Sequence, residues 1–168
     1  MSTFIHLWRN FPTKEEMEKT CRNVQPDGSD KPFSDYCSIM LCESFNRTGI
    51  IYTAKGVCWS HGSRKHILLA ENLANGLKNN PPPRFGKLEK INPTNFQTIL
   101  KGRTGVIFFK DYWIRGNESF GNRSGDHIDL WDKSKITGGS MLYRSIVELF
   151  GFVSDLNNSK EVWFWEVK

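Results

Sequence analysis

Cys37-Ser38-Ile39-Met40-Leu41-Cys42-Glu43-Ser44-Phe45-Asn46 is an apolar-periodic run that reads as a helix closing at Gly49. Pro26, Gly28 and Pro32 make the segment before it a loop, and Ser34 and Asp35 both suit its N-cap. The helix therefore starts on a cysteine. A thiol used only for packing has no reason to sit at a cap, whereas a reactive thiol gains there from exposed N–H groups and partial positive charge. Ninety residues further on, Asp126-His127-Ile128-Asp129-Leu130-Trp131 alternates as a strand does. Its period of two places His127, Asp129 and Trp131 on one face and Ile128 and Leu130 on the other. That pattern fits a strand with one solvated face. It also fits a catalytic face on which a carboxylate orients an imidazole, with Asp126 and Asp132 as rivals to Asp129 for that role. A thiol at a helix start and a histidine on a distant strand can act together as nucleophile and base.

Outward from these two segments, Thr13 to Val24 reads as a short helix, with Thr13 and Glu16 forming a capping-box pattern. Residues 50–65 are irregular. His66 to Lys78 has apolar residues at 67, 70, 73, 74 and 77, a helical spacing that ends before Pro81-Pro82-Pro83. Pro93-Thr94-Asn95 starts another short helix through Leu100, stopped at Gly102. Thr104 to Trp113 is apolar on both faces, as a central strand is. A polar loop from Arg115 to Gly125 leads to a strand over His127–Trp131 and a turn at Lys133-Ser134-Lys135. Met141 to Phe150 reads as a helix and Glu161 to Val167 as a terminal strand. Helices come first and strands later, which gives an α+β class, and residues 1–168 are expected to form one domain.

A net charge of +5 suits an anionic partner. Met1 to Pro12 lacks the cationic start and apolar core of a signal peptide, and no run is long and apolar enough for membrane insertion. If Cys37 is kept free for chemistry, Cys21, Cys42 and Cys58 can form at most one bridge. Cys58-x-x-His61 followed by His66 looks like half of a zinc pattern, but no Cys-x-x-Cys partner accompanies it. These are read as loop histidines, and neither a metal nor a cofactor is expected. The Gly-rich pieces lack the spacing of phosphate cradles. The aromatic residues between 108 and 123 fit core and cleft lining better than a stacking platform for nucleic acid.

Taken in order along the chain, the motifs resemble the fourth family of type VI secretion amidase effectors, papain-like enzymes related to NlpC-type cell-wall peptidases. The resemblance begins with Phe4-Ile5-His6-Leu7-Trp8 and Asn10-Phe11-Pro12, then Cys37-Ser38-Ile39-Met40-Leu41 and Asn46-Arg47-Thr48-Gly49. It continues with His66-Ile67-Leu68-Leu69-Ala70-Glu71, Arg103-Thr104-Gly105-Val106-Ile107-Phe108-Phe109, Ser124 through Trp131, and Val162-Trp163-Phe164-Trp165. It implies a papain-like fold, with the nucleophile at the start of a helix packed on an antiparallel sheet. The family's nucleophile falls on Cys37 and its base on His127. Members can take a third catalytic acid from the strand after the histidine, near Lys135 to Gly138. No acid occurs there, so Asp129 takes that role. The resemblance further implies hydrolysis of peptidoglycan crosslinks at the D-glutamate–meso-diaminopimelate amide. It implies delivery by the type VI machinery into a rival's periplasm, and a cognate immunity protein. An amidase cutting another wall bond, or a non-catalytic basic module binding glycan or nucleic acid, is the alternative.

Overall fold

The computed structural model describes residues 2–62, 64–137 and 156–168. Among them are the α-helices α1 (Thr3–Arg9), α2 (Lys14–Thr20), α3 (Cys37–Arg47), α4 (Ala70–Asn79) and α5 (Phe96–Ile99). A two-residue ribbon pairs β1 (Asn23–Val24) with β2 (Asp30–Lys31). The main sheet contains β3 (Glu89–Ile91), β4 (Thr104–Trp113), β5 (Gly125–Asp132), β6 (Lys135–Ile136) and β7 (Glu161–Glu166). Its order is β3-β7-β4-β5-β6, with every neighbouring pair antiparallel. The α+β class expected from the sequence is present, with β4 at the centre of the sheet. The helix expected over 141–150 lies outside the described residues.

Both faces of β4 are buried, because the sheet separates two apolar layers. Val106 and Phe108 pack with Ile128, Leu130 and Trp165 against α3 and α4. Ile107 and Phe109 pack with Trp131 and Phe164 against Phe96 and Leu100. Gly105 holds the β4–β7 crossing, since a Cβ there would strike the Trp165 carbonyl and the Phe164 ring.

α3 is the most buried helix among the described residues. Ile39, Leu41 and Phe45 are fully enclosed. It stops at Gly49, whose φ of +81° is left-handed, while the Ile50 N–H reaches back to the Phe45 carbonyl at 2.9 Å. The Thr13–Glu16 capping box forms as expected. The helix expected from His66 starts only at Ala70. Residues 66–68 are instead committed to pairing, with Cys58 N–H on the His66 carbonyl, Leu68 N–H on the Gly56 carbonyl, and a Val57–Ile67 bridge. Those bonds win over a helical spacing that the same apolar residues also satisfy. α1 gave no comparable signal in the sequence, being two turns long.

Candidate active site

Cys37 is the first residue of α3, as expected. Its N-cap is Tyr36, which makes no side-chain cap bond. Asp35 does that work from one residue earlier: its Oδ1 accepts the Cys37 N–H at 3.0 Å, and its Oδ2 lies 3.5 Å from Cys37 Sγ. The thiol sits at the wall of a cleft of about 530 Å³, with Asp35, Leu68, Leu69, Trp113 and Arg115 around it. Another hollow of about 460 Å³, beside Pro81–Pro83, contains no thiol and lies away from this chemistry.

Cys37 is 7 % exposed, and its electrostatics are those of a neutral thiol. Burial pushes its pKa well up, the adjacent Asp35 charge adds to that, and a bond from the Ile128 N–H opposes it. The helix start alone led to the expectation of a thiolate. Desolvation and a neighbouring carboxylate outweigh it here.

β5 brings the second element of the site. Ile128 N–H approaches the thiol, so His127 is the residue next to the contact point. The imidazole itself takes the other face of the strand, stacking on Phe109 at 6.4 Å between centroids and meeting Tyr112 edge-on at 6.3 Å. Its Nε2 lies 3.3 Å from Asp129 Oδ2. Asp129 is held in turn: the Leu130 N–H donates to its Oδ1 at 2.7 Å, and the Thr137 hydroxyl donates to the same oxygen. The structure thus joins His127 to Asp129 and Asp129 in turn to Thr137, which the sequence did not point to. Among the described residues, the thiol's polar neighbours are Asp35 and the Ile128 N–H, and the imidazole's is Asp129. Cys37 and His127 are not bonded to one another.

The solvated-face reading of β5 is not what forms, because both His127 and Asp129 are buried. Asp126 faces elsewhere and accepts the Asp111 N–H at 2.9 Å, with its own pKa raised by burial. Asp132 lies at the far end of the strand, paired with β6. Arg115 reaches the cleft on a loop organised by Glu118, which accepts the backbone N–H groups of Arg115 and Ser124, each at 2.9 Å. The Arg115 guanidinium lies 5.5 Å from the centroid of the Trp113 ring.

A second thiol–imidazole cluster stands apart. Cys21 Sγ lies 3.2 Å from His61 Nε2 and 2.9 Å from His66 Nδ1. The sequence pattern predicts the two histidines as loop residues. Cys21 arrives from the end of α2, forty residues before His61, outside that pattern.

The model of the family described as type VI secretion system (T6SS), amidase effector protein 4 (Tae4) matches residues 33–165. Among solved structures, the chain is similar to the Tae4 / Tai4 effector–immunity system from Salmonella typhimurium, selenomethionine variant. That similarity has a TM-score of 0.56 at 15 % identity and covers 96 % of this chain and 92 % of that one. No curated protein matches this sequence.

Proposed function

The chain belongs to the type VI secretion amidase effector protein 4 family, and from that premise we propose that it hydrolyses peptidoglycan stem peptides with Cys37 as nucleophile. The observation that carries the proposal is the position of Cys37: first residue of a buried helix, on the wall of a cleft, beside the N–H of Ile128, which follows His127 in β5. The bond cut is the D-glutamate–meso-diaminopimelate amide. Both residues flanking it carry carboxylates, and Arg115 offers the cleft a guanidinium suited to them.

The resting thiol is neutral, so it must lose its proton as it attacks. His127 takes that proton after its ring turns from Phe109 toward the cleft, and Asp129, fixed by Thr137, steadies the resulting imidazolium. Catalytic contacts are often long or unformed before substrate binds. The sulfur bonds to the carbonyl carbon while its proton goes to His127. His127 then gives that proton to the leaving amine, and water hydrolyses the thioester. N–H groups of the first turn of α3 stabilise the oxyanion, with the Cys37 N–H passing to it from Asp35. No cofactor takes part.

The chain belongs to a family of type VI secretion effectors, which supports the target cell's periplasm, where the wall lies, as its site of action. The similar solved structure is an effector–immunity pair, which supports a cognate immunity protein that closes this cleft. Among the described residues no helix is long and apolar enough to cross a membrane. The test is mass spectrometry of peptidoglycan fragments digested by the protein and by Cys37→Ala. New products ending at D-glutamate, made only by the intact thiol, are expected. Unchanged fragments from folded protein would overturn the reading.

A further inference from the structure

Cys21, Cys58, His61 and His66 take no part in the proposed reaction, yet three separate pieces of chain bring them together. Cys21 ends α2 and is fully buried. Cys58 and His66 lie opposite each other on the paired segments around the Val57–Ile67 bridge, with the Cys58 N–H on the His66 carbonyl at 2.8 Å. His61 comes from the loop between them. One donor atom each from Cys21, His61 and His66 lies within 4.8 Å of the others. The Cys58 thiol, also fully buried, lies beside Cys21 but outside that group of three donors, and touches Ser60 Oγ at 3.0 Å.

We propose that Cys21, Cys58, His61 and His66 form a closed structural site for a zinc-class divalent cation. Two thiols and two imidazoles are the donor set that such borderline-soft ions select. The second observation is Glu43, whose Oε2 lies 2.9 Å from His66 Nε2. A carboxylate only accepts, so Nε2 carries the ring hydrogen, and Nδ1 directs its lone pair at Cys21. That carboxylate–histidine arrangement is how metal-binding imidazoles are oriented. A tetrahedral zinc separates its sulfur and nitrogen ligands by about 3.5 Å, given the usual bond lengths. The present 3.2 and 2.9 Å contacts need to open by only a few tenths of an ångström. Cys58 completes the set by turning from Ser60 to the ion. Binding releases the proton of each thiol to solvent, and His66 keeps its Nε2 hydrogen, donated to Glu43.

A disulfide between Cys21 and Cys58 is the competing chemistry for these thiols, but it has no use for two imidazole nitrogens aimed at one sulfur. The ion would tie the end of α2 to the paired segment whose Gly56 and Leu68 line the Cys37 cleft. Its role is therefore to hold a wall of the cleft.

The full chain, reduced and stripped with chelator, is titrated with cobalt(II) chloride alone and followed by absorption. Expected are one cobalt per chain, a thiolate-to-cobalt charge-transfer band and intense visible bands of tetrahedral cobalt. Zinc should displace these bands. They should persist in Cys37→Ala and vanish in Cys21→Ser and in the half-exposed His61→Ala, the latter still folded by circular dichroism. Glu43→Gln should weaken binding roughly 10–100-fold. The proposal is overturned by cobalt that fails to bind stoichiometrically, or by bands that survive both Cys21→Ser and His61→Ala. Bands lost in Cys37→Ala, or a Cys21–Cys58 disulfide in protein purified anaerobically, overturn it as well. None of these readings depends on peptidoglycan hydrolysis.

Discussion

The molecule contains two places where a thiol and an imidazole come near each other, and they are built in opposite ways. At Cys21 the sulfur touches two imidazole nitrogens, but it is fully enclosed behind α2 and the 58–66 segment. At Cys37 the sulfur borders a cleft of about 530 Å³, but its nearest polar neighbours are a carboxylate and a backbone N–H. Contact with an imidazole alone does not make a nucleophile, because a substrate must also reach the sulfur. Access without an imidazole in contact leaves a step to be completed when substrate binds. The first arrangement suits holding; the second suits reacting.

The largest break in this comparison is Cys37→Ala against Cys21→Ser. The first should lower wall hydrolysis by roughly 10⁴-fold or more, as loss of a nucleophile does elsewhere. The second should lower the thermal midpoint and reduce turnover per folded molecule far less than Cys37→Ala does. Measuring turnover on peptidoglycan alongside circular dichroism separates the two effects. His127→Ala should approach the loss of Cys37→Ala, whereas His66→Ala should act through stability.

Next in size is the packing that places the α3 thiol beside β5. Leu41 is fully buried between α3 and the sheet, so Leu41→Ala should cost about 2–5 kcal/mol in denaturant unfolding. Gly105→Ala should destabilise by about 1–3 kcal/mol through the clash with Trp165 and Phe164.

Asp35 sharpens the electrostatic half of the comparison. After burial, its charge is the main influence raising the Cys37 pKa, and removing that charge lowers it. Asp35→Asn keeps an oxygen for the Cys37 N–H. Its rate of alkylation by iodoacetamide should therefore begin to rise at lower pH than in wild type. Alkylation of Cys37 at neutral pH should be faster, since more of the thiol is ionised. An unshifted profile would show that the carboxylate does not set the thiol's reactivity. The smallest effect belongs to Thr137→Val. It removes one hydroxyl from Asp129 and should cost about 1 kcal/mol, near a fivefold drop in turnover.

Much of this was legible in the sequence where a single segment contained the whole signal. The Thr13 capping box, the α3 span starting on Cys37, the doubly buried β4 and the β5 alternation all depend on neighbours within a few residues. What escaped depends on partners far away. Residues 66–69 carry a helical spacing, and only their pairing with 56–58 makes them extended. The burial of β5 on both faces could not be inferred from its polar face. Nothing in the sequence told that burial and then Asp35, rather than the helix end, set the thiol's electrostatics, since that outcome depends on the folded surroundings. Cys21 joins His61 and His66 across forty residues, so the half-motif at 58–66 looked incomplete. Thr137 stands in the stretch where the family resemblance would put an acid, and its hydroxyl bonds Asp129 instead.

The most direct test of the account uses limited iodoacetamide on the reduced full chain. Peptide mass mapping gives the modified fraction at each cysteine, and residual peptidoglycan hydrolysis is measured on the same samples. The account predicts that activity falls in proportion to Cys37 modification while Cys21 stays unmodified. Full activity with Cys37 alkylated, or loss that follows Cys21 instead, would contradict it.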